Sequence, residues 1–149
     1  MVRMNVKITG TDFDQIAPEF KKNLDTALAR TLTLQQGEIA KANPKDTGRM
    51  ASSWFVSQNS PERGVRPSSW GAPGAKNVQL SLYPENAITF DGTWFISNSL
   101  PYAAPICLLG NYPPSWGGSA PSSIPGDWYT SIANQTTRVF SEQFDKAQR

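Results

Sequence analysis

No histidine occurs among the 149 residues of the chain, which removes the side chain that most often serves as general base and as metal ligand. The single cysteine, Cys107, lies in the apolar run YAAPICLL (102–109) with no cation beside it. A thiol in such surroundings stays protonated and inert. Being alone, it also rules out an intrachain disulfide and gives no sign of an oxidising compartment. The twelve carboxylates are scattered. Paired-carboxylate hydrolysis needs an acid and a base roughly 5–10 Å apart. Asp12 and Asp14 stand closest together, but capping of a helix N-terminus explains them more simply. EF-hand spacing, an HExxH pair and paired cysteines are all missing, so no metal or cofactor is expected. Gly71, Gly74 and the Gly117-Gly118 pair do not follow a strand and open a helix, as a phosphate-cradling loop would. A small carboxylate hydrolase is therefore the weakest reading, and the expectation is that the chain is not an enzyme.

Residues suited to binding are more plentiful. Between positions 41 and 76 stand Lys41, Lys45, Arg49, Arg63, Arg66 and Lys76 against only Asp46 and Glu62, so the excess positive charge of the chain, +2 in all, is concentrated there. That total is too small to imply nucleic-acid binding by itself. Arg63, Arg66 and Lys76 are candidates for a positive surface facing phosphate or an acidic partner; the plainer alternative is a solvated loop. Trp70, Tyr112 and Trp116 fall in two Gly/Pro/Ser-rich stretches, 59–76 and 110–126. Such loops are longer than compact domains usually carry without a purpose, and aromatic side chains are enriched in interface cores. Trp70, Tyr112 and Trp116 are thus candidate subunit or partner contacts. Stacking of a sugar on Trp70 and Trp116, as in a carbohydrate-binding module, is a rival reading, and folding back onto their own domain is the plain alternative.

The elements that would position these residues follow from periodicity. The length fits one domain, 1–149, able to bury a core unaided. With 38% hydrophobic residues, mean hydropathy −0.44 and only 17% charged residues, the composition is that of a packed domain with irregular loops rather than a disordered tail. Residues 3–9 alternate as a half-buried strand. Phe13, Ile16, Phe20, Leu24, Leu28 and Leu32 recur at spacings of three and four, predicting one long helix over 14–42. Asp12 or Asp14 would cap it, Pro18 would fit its first turn, and Pro44 stops it. Met50–Gln58 predicts a strand from Trp54, the alternation of Val78, Leu80 and Leu82 a further strand, and 93–97 another. Tyr102–Leu109, interrupted by Pro105, reads as an edge strand or a loop packed on the core. A final helix, capped by Asp127 or Ser123, carries Trp128, Ile132, Val139, Phe140 and Phe144 on one face. The fold class is α+β, with a long N-terminal and a C-terminal helix on one face of a small, mainly antiparallel sheet. No run approaches a membrane span, and the start, MVRMNVKITG, lacks the apolar core of a signal peptide. The expectation is a protein made in the cytoplasm that stays soluble until it assembles.

The segment Pro44-Lys45-Asp46-Thr47-Gly48-Arg49-Met50-Ala51-Ser52-Ser53, directly after a long amphipathic helix, resembles the tailed-phage neck and tail-completion family typified by minor tail proteins of lambdoid phages. That family ends its long helix in a P-x-D-T-G-x-L-x-x-S signature, here met by Pro44, Asp46, Thr47, Gly48 and Ser53 with Met50 in the apolar place. Tyr102-Ala103 and Gly110 are similar to a later Tyr-Ala pair leading into E-x-G, although the acidic residue is replaced within PICLL. Both long loops exceed the family's compact pattern. Read physically, Pro44 ends the helix, Asp46 or Thr47 accepts backbone N–H bonds in an Asx- or ST-type turn, and Gly48 permits a positive φ. These residues are expected to be a turn device.

The resemblance implies a virion structural protein at the head–tail junction. Copies would close into a homo-oligomeric ring, a hexamer or dodecamer, linking a portal, adaptor or stopper protein to a tail tube or terminator protein. DNA would pass through the axial channel without sequence-specific contacts, and no membrane is involved. A tail terminator or other connector subunit is the nearest alternative.

Overall fold

Pro18 sets the start of the first helix. A proline in the opening turn loses nothing, because its missing N–H would have no intrahelical acceptor there. In the computed structural model, which describes residues 1–7, 17–45, 47–71, 78–114 and 125–149, helix α1 accordingly spans Pro18–Ala42 with Ala17 as its N-cap. The expected start at residue 14 is thus corrected by four residues, and the proposed caps Asp12 and Asp14 lie outside the described residues. At the other end Asn43 turns extended (φ −56, ψ 131), the conformation forced on a residue preceding proline. Leu24, Leu28, Leu32 and Ile39 are buried as their spacing demands. Ala27, Ala29, Thr31, Gln35, Gln36 and Ala40 are buried with them, so α1 is enclosed on a front wider than one stripe. Phe20 remains 43% exposed while its edge meets Phe144 at 5.4 Å.

Three antiparallel strands, β1 (Val2–Lys7), β2 (Phe55–Gln58) and β3 (Thr93–Asn98), pair in the order β1-β3-β2. Met4 and Val56 both face Ile96 across the ladders. Because side chains alternate along a strand, Val2, Met4, Val56, Trp94 and Ile96 share the face that packs on the helices. The expected strand at 93–97 is therefore the centre of the sheet, and the expected strand from Trp54 begins one residue later, after a 3-10 turn at Ala51–Ser53.

Helices α2 (Trp128–Ala133) and α3 (Thr136–Ala147) replace the single C-terminal helix with one that is interrupted at Asn134-Gln135. Asp127 stands at the N-cap of α2 but makes no side-chain capping bond, and Ser123 lies outside the described residues. Trp128 and Tyr129 are buried, with Tyr129 stacked on Trp54 at 5.7 Å. Phe140 stacks on Phe90 at 5.7 Å. The meeting of Phe144 with Phe20 sets the end of α3 against the start of α1, so the two helices run antiparallel. Phe140 and Phe144, expected on the buried stripe, pack against the core, and Val139 beside them is half-buried.

Two further expectations are corrected. Residues 78–82 join no ladder. Gln79 N–H donates to Ser52 Oγ, and the carbonyls of Gln79 and Ser81 accept from Arg66 and Gln36. Side chains thus take the place of a neighbouring strand. Residues 103–109 are helical, with a wide π-turn at Pro105–Leu109 ended by Gly110 at φ 65. That turn buries Ile106 and Cys107 and leaves Leu108 and Leu109 in solvent. A helical turn accommodates Pro105 near its start without a lost backbone bond, which a strand does not.

Gly37 lies inside α1 with nothing within 4 Å of where a Cβ would stand. Glycine costs a helix interior roughly 0.5–1 kcal/mol relative to alanine. Gly37→Ala is therefore expected to raise stability by about that amount, read as a higher urea midpoint at unchanged slope. A lowered midpoint would contradict the open site.

Candidate assembly surface around the helix exit

Where α1 ends, Asn43 is 1% exposed and binds twice. Its Nδ2 donates to Pro44 O at 2.7 Å, and its Oδ1 accepts from Trp54 Nε1 at 2.9 Å. Lys45 folds back, its Nζ donating to Lys41 O at 2.6 Å and Asn43 O at 2.9 Å, so this cation sits on the negative end of the helix. In the turn, Thr47 Oγ1 accepts from Arg49 N at 3.2 Å and Gly48 adopts φ 81, a conformation glycine takes without strain. Asp46 lies outside the described residues. Ser52 N then donates to Gly48 O at 2.9 Å, starting the 3-10 turn that leads into β2.

The first long loop returns to this turn. Arg49 Nε donates to Arg66 O at 2.7 Å, and Arg66 N donates to Ser53 Oγ at 3.0 Å. The Arg66 guanidinium donates to Ser52 O at 3.1 Å, Gln79 O at 3.0 Å and Ser81 Oγ at 2.8 Å. Its planar fork is what lets one side chain hold three acceptors. The same guanidinium lies 4.7 Å from the centroid of Trp70 and 5.7 Å from that of Phe55. Gly71, at φ 68, comes so close to Thr47 that a Cβ would stand 2.3 Å from Thr47 O. The motif and the loop 59–71 are therefore one unit. Tyr102 joins it through Arg49, though burial still pushes its phenol above the usual range.

The sequence candidates part company here. Arg66 points inward and is bound on every side just described, whereas Arg63 is exposed. Trp70 is half-buried with one ring face covered by Arg66, and its Nε1 finds no acceptor among the described residues. Tyr112 is half-buried against the core, where burial raises its phenol and Cys107 and Trp128 adjoin it. Trp116 and Lys76 lie outside the described residues. Burial pushes the Cys107 thiol up to about 12, so it remains protonated at neutral pH. No group of three or more metal-ligating side chains occurs among the described residues, and no described helix is long and apolar enough to cross a membrane.

Neither a protein-family model, nor a curated protein, nor a solved structure matches the chain. What the chain does must be argued from its own surface.

Exposed apolar side chains mark that surface. Leu109 is 70% exposed, Leu82 61% and Leu108 56%. Sequence periodicity missed the pair at 108–109 because the whole run YAAPICLL read as core-facing. A helical reading of 103–109 would have turned Leu108 and Leu109 away from Ile106 and Cys107. Asn43, Lys45, Arg49 and Ser52 were also missed as anchors. The signal for Asn43 is its place before Pro44, where a short amide at a helix end readily bonds nearby backbone.

Arg66→Ala removes a cation from three acceptors and is expected to cost about 2 kcal/mol, since hydrogen bonds to charged groups contribute roughly 1.5–3 kcal/mol each and this side chain is half in water. Arg63→Ala should stay within about 0.5 kcal/mol of the parent. Urea unfolding of both variants checks the contrast; equal costs would contradict the inward role of Arg66.

Proposed function

We propose that the chain is a virion structural subunit of the neck and tail-completion type, closing into a homo-oligomeric ring at the phage head–tail junction. The observation that carries the reading is the order of elements around the helix exit. A long helix ends just before Pro44, the chain runs through Thr47, Gly48 and Ser53 into an antiparallel sheet, and a C-terminal helix returns against the first. That order, with the signature residues standing at the turn, is what the resembled family leads one to expect.

The surface supports a role in assembly. Leu82, Leu108 and Leu109, each more than half exposed, offer apolar area to neighbours. Leu108 and Leu109, at the mouth of the second long loop, together with Tyr112, are assigned to contacts between subunits or with a neighbouring ring. Arg63 is the described member of the basic loop that stands free to face an acidic partner or passing DNA; Arg66 is committed to the fold. The partners in this reading are a portal, adaptor or stopper on one side and a tail tube or terminator on the other, with no cofactor required.

Gel filtration with light scattering, joined to electron microscopy and protein mass spectrometry of particles, tests the proposal. The expected result is a ring in solution or a fixed number of copies in virions. A chain that is monomeric at every concentration and also absent from virions would overturn it.

A further inference from the structure

Residues 78–82 (VQLSL) carry the alternation of a strand without the ladder of one. In extended backbone the N–H and C=O of one residue point to one side, and those of the next residue to the other. Gln79 N–H and the carbonyls of Gln79 and Ser81 are bound by Ser52, Arg66 and Gln36. The backbone groups of Val78, Leu80 and Leu82 meet no hydrogen-bond partner among the described residues. An open row of donors and acceptors therefore lies along one side of the segment.

Its position follows from who holds it. Arg66 reaches it from the loop that covers the outer sheet face, where Ser97 Oγ and Ser99 Oγ donate to Glu62 O at 3.2 and 2.9 Å. Gln36 reaches it from α1 beneath the inner face, its Nε2 bridging Trp54 O at 2.8 Å and Ser81 O at 3.0 Å. A segment within reach of both layers, and tied to Ser52 and Trp54 at the root of β2, flanks the sheet on the β2 side. Tyr83 continues along that flank to meet Trp94 edge-on at 5.2 Å. The opposite margin of the sheet is β1, whose outer edge has no backbone bond to any described residue.

We infer that neighbouring copies join edge to edge, the open side of Val78–Leu82 pairing with β1 of a second copy of this chain. The inference rests on the assembly reading above and supplies its contact. An exposed edge without charge or proline is a hazard that folded proteins normally blunt, and VQLSL carries neither while leaving Val78 41% and Leu82 61% exposed. The chemistry of such an edge selects extended backbone as its occupant. One open edge is β1 and the other is the segment flanking the β2 side, so each copy uses a different edge toward each neighbour. That is a heterologous contact, which closes into a ring when the rotation permits. The six residues of β1 are long enough to cover the five of the segment.

Two variants test the pairing. Leu82→Pro deletes an outward N–H at an exposed position and is expected to unfold at the parent temperature while losing the ring in light scattering and electron microscopy. Cysteines placed as Leu82→Cys with Arg3→Cys or Asn5→Cys, in a Cys107→Ala background, are expected to give a ladder of covalent multimers on oxidation. Rings of Leu82→Pro at parental abundance, or assembled rings without cross-links from either pair, would overturn the edge pairing while leaving ring assembly in place. A parent chain that is neither ring nor virion component would overturn both.

Discussion

Trp54 has to be both dry and bonded. It is fully buried, so its indole N–H and its backbone carbonyl need partners inside the protein, where a lone polar group costs several kcal/mol by the harsher transfer scales, roughly 2–7. Helix α1 supplies both: Asn43 accepts from the indole and Gln36 donates to the carbonyl. These two bonds fix the end of the long helix against the root of β2. The helix cannot slide by one residue without stranding a buried donor and a buried acceptor together.

Much of the remaining architecture is set by that anchor. With α1 held under the sheet, β3 becomes the central strand and is enclosed on both faces, by helices on one side and by the loop through Glu62 on the other. The loop stays on its face because Arg66 binds Ser52 beside the anchor and reaches on to Gln79 and Ser81. Gln36 binds Ser81 from beneath. The flank at 78–82 is consequently held by side chains from two layers, while its other side meets no partner among the described residues. A rigid body with two edges unpaired among the described residues is suited to repetition, since the contact is preorganised and little ordering remains to oppose association.

The long helix, the central strand and the α+β class were legible because they depend on periodicity, which lies in the order of residue types: Leu24, Leu28, Leu32 and Ile39 leave little choice. The break at Asn134-Gln135 was not legible, since neither residue forbids a helix. Residues 78–82 show why alternation misleads. Val78, Leu80 and Leu82 carry a strand pattern, but a ladder needs a neighbour, and side chains 13, 27 and 45 residues away take that place. The basic residues were readable as a group only. Arg63 and Arg66 look alike in sequence, and just one of them finds carbonyls within reach. The turn at Thr47 and Gly48 was anticipated; that Gly71 closes onto Thr47 depends on the path of a loop without periodicity.

Amide hydrogen exchange, compared between dispersed and assembled protein, tests the account most directly. Gln79 N–H, bonded to Ser52 within one copy, serves as the internal reference and should be protected in both states. The account predicts that Val78, Leu80 and Leu82 exchange freely in the dispersed chain and gain protection in the assembly, together with outward amides of β1. Assembled protein in which these amides exchange as fast as in the dispersed chain would contradict it.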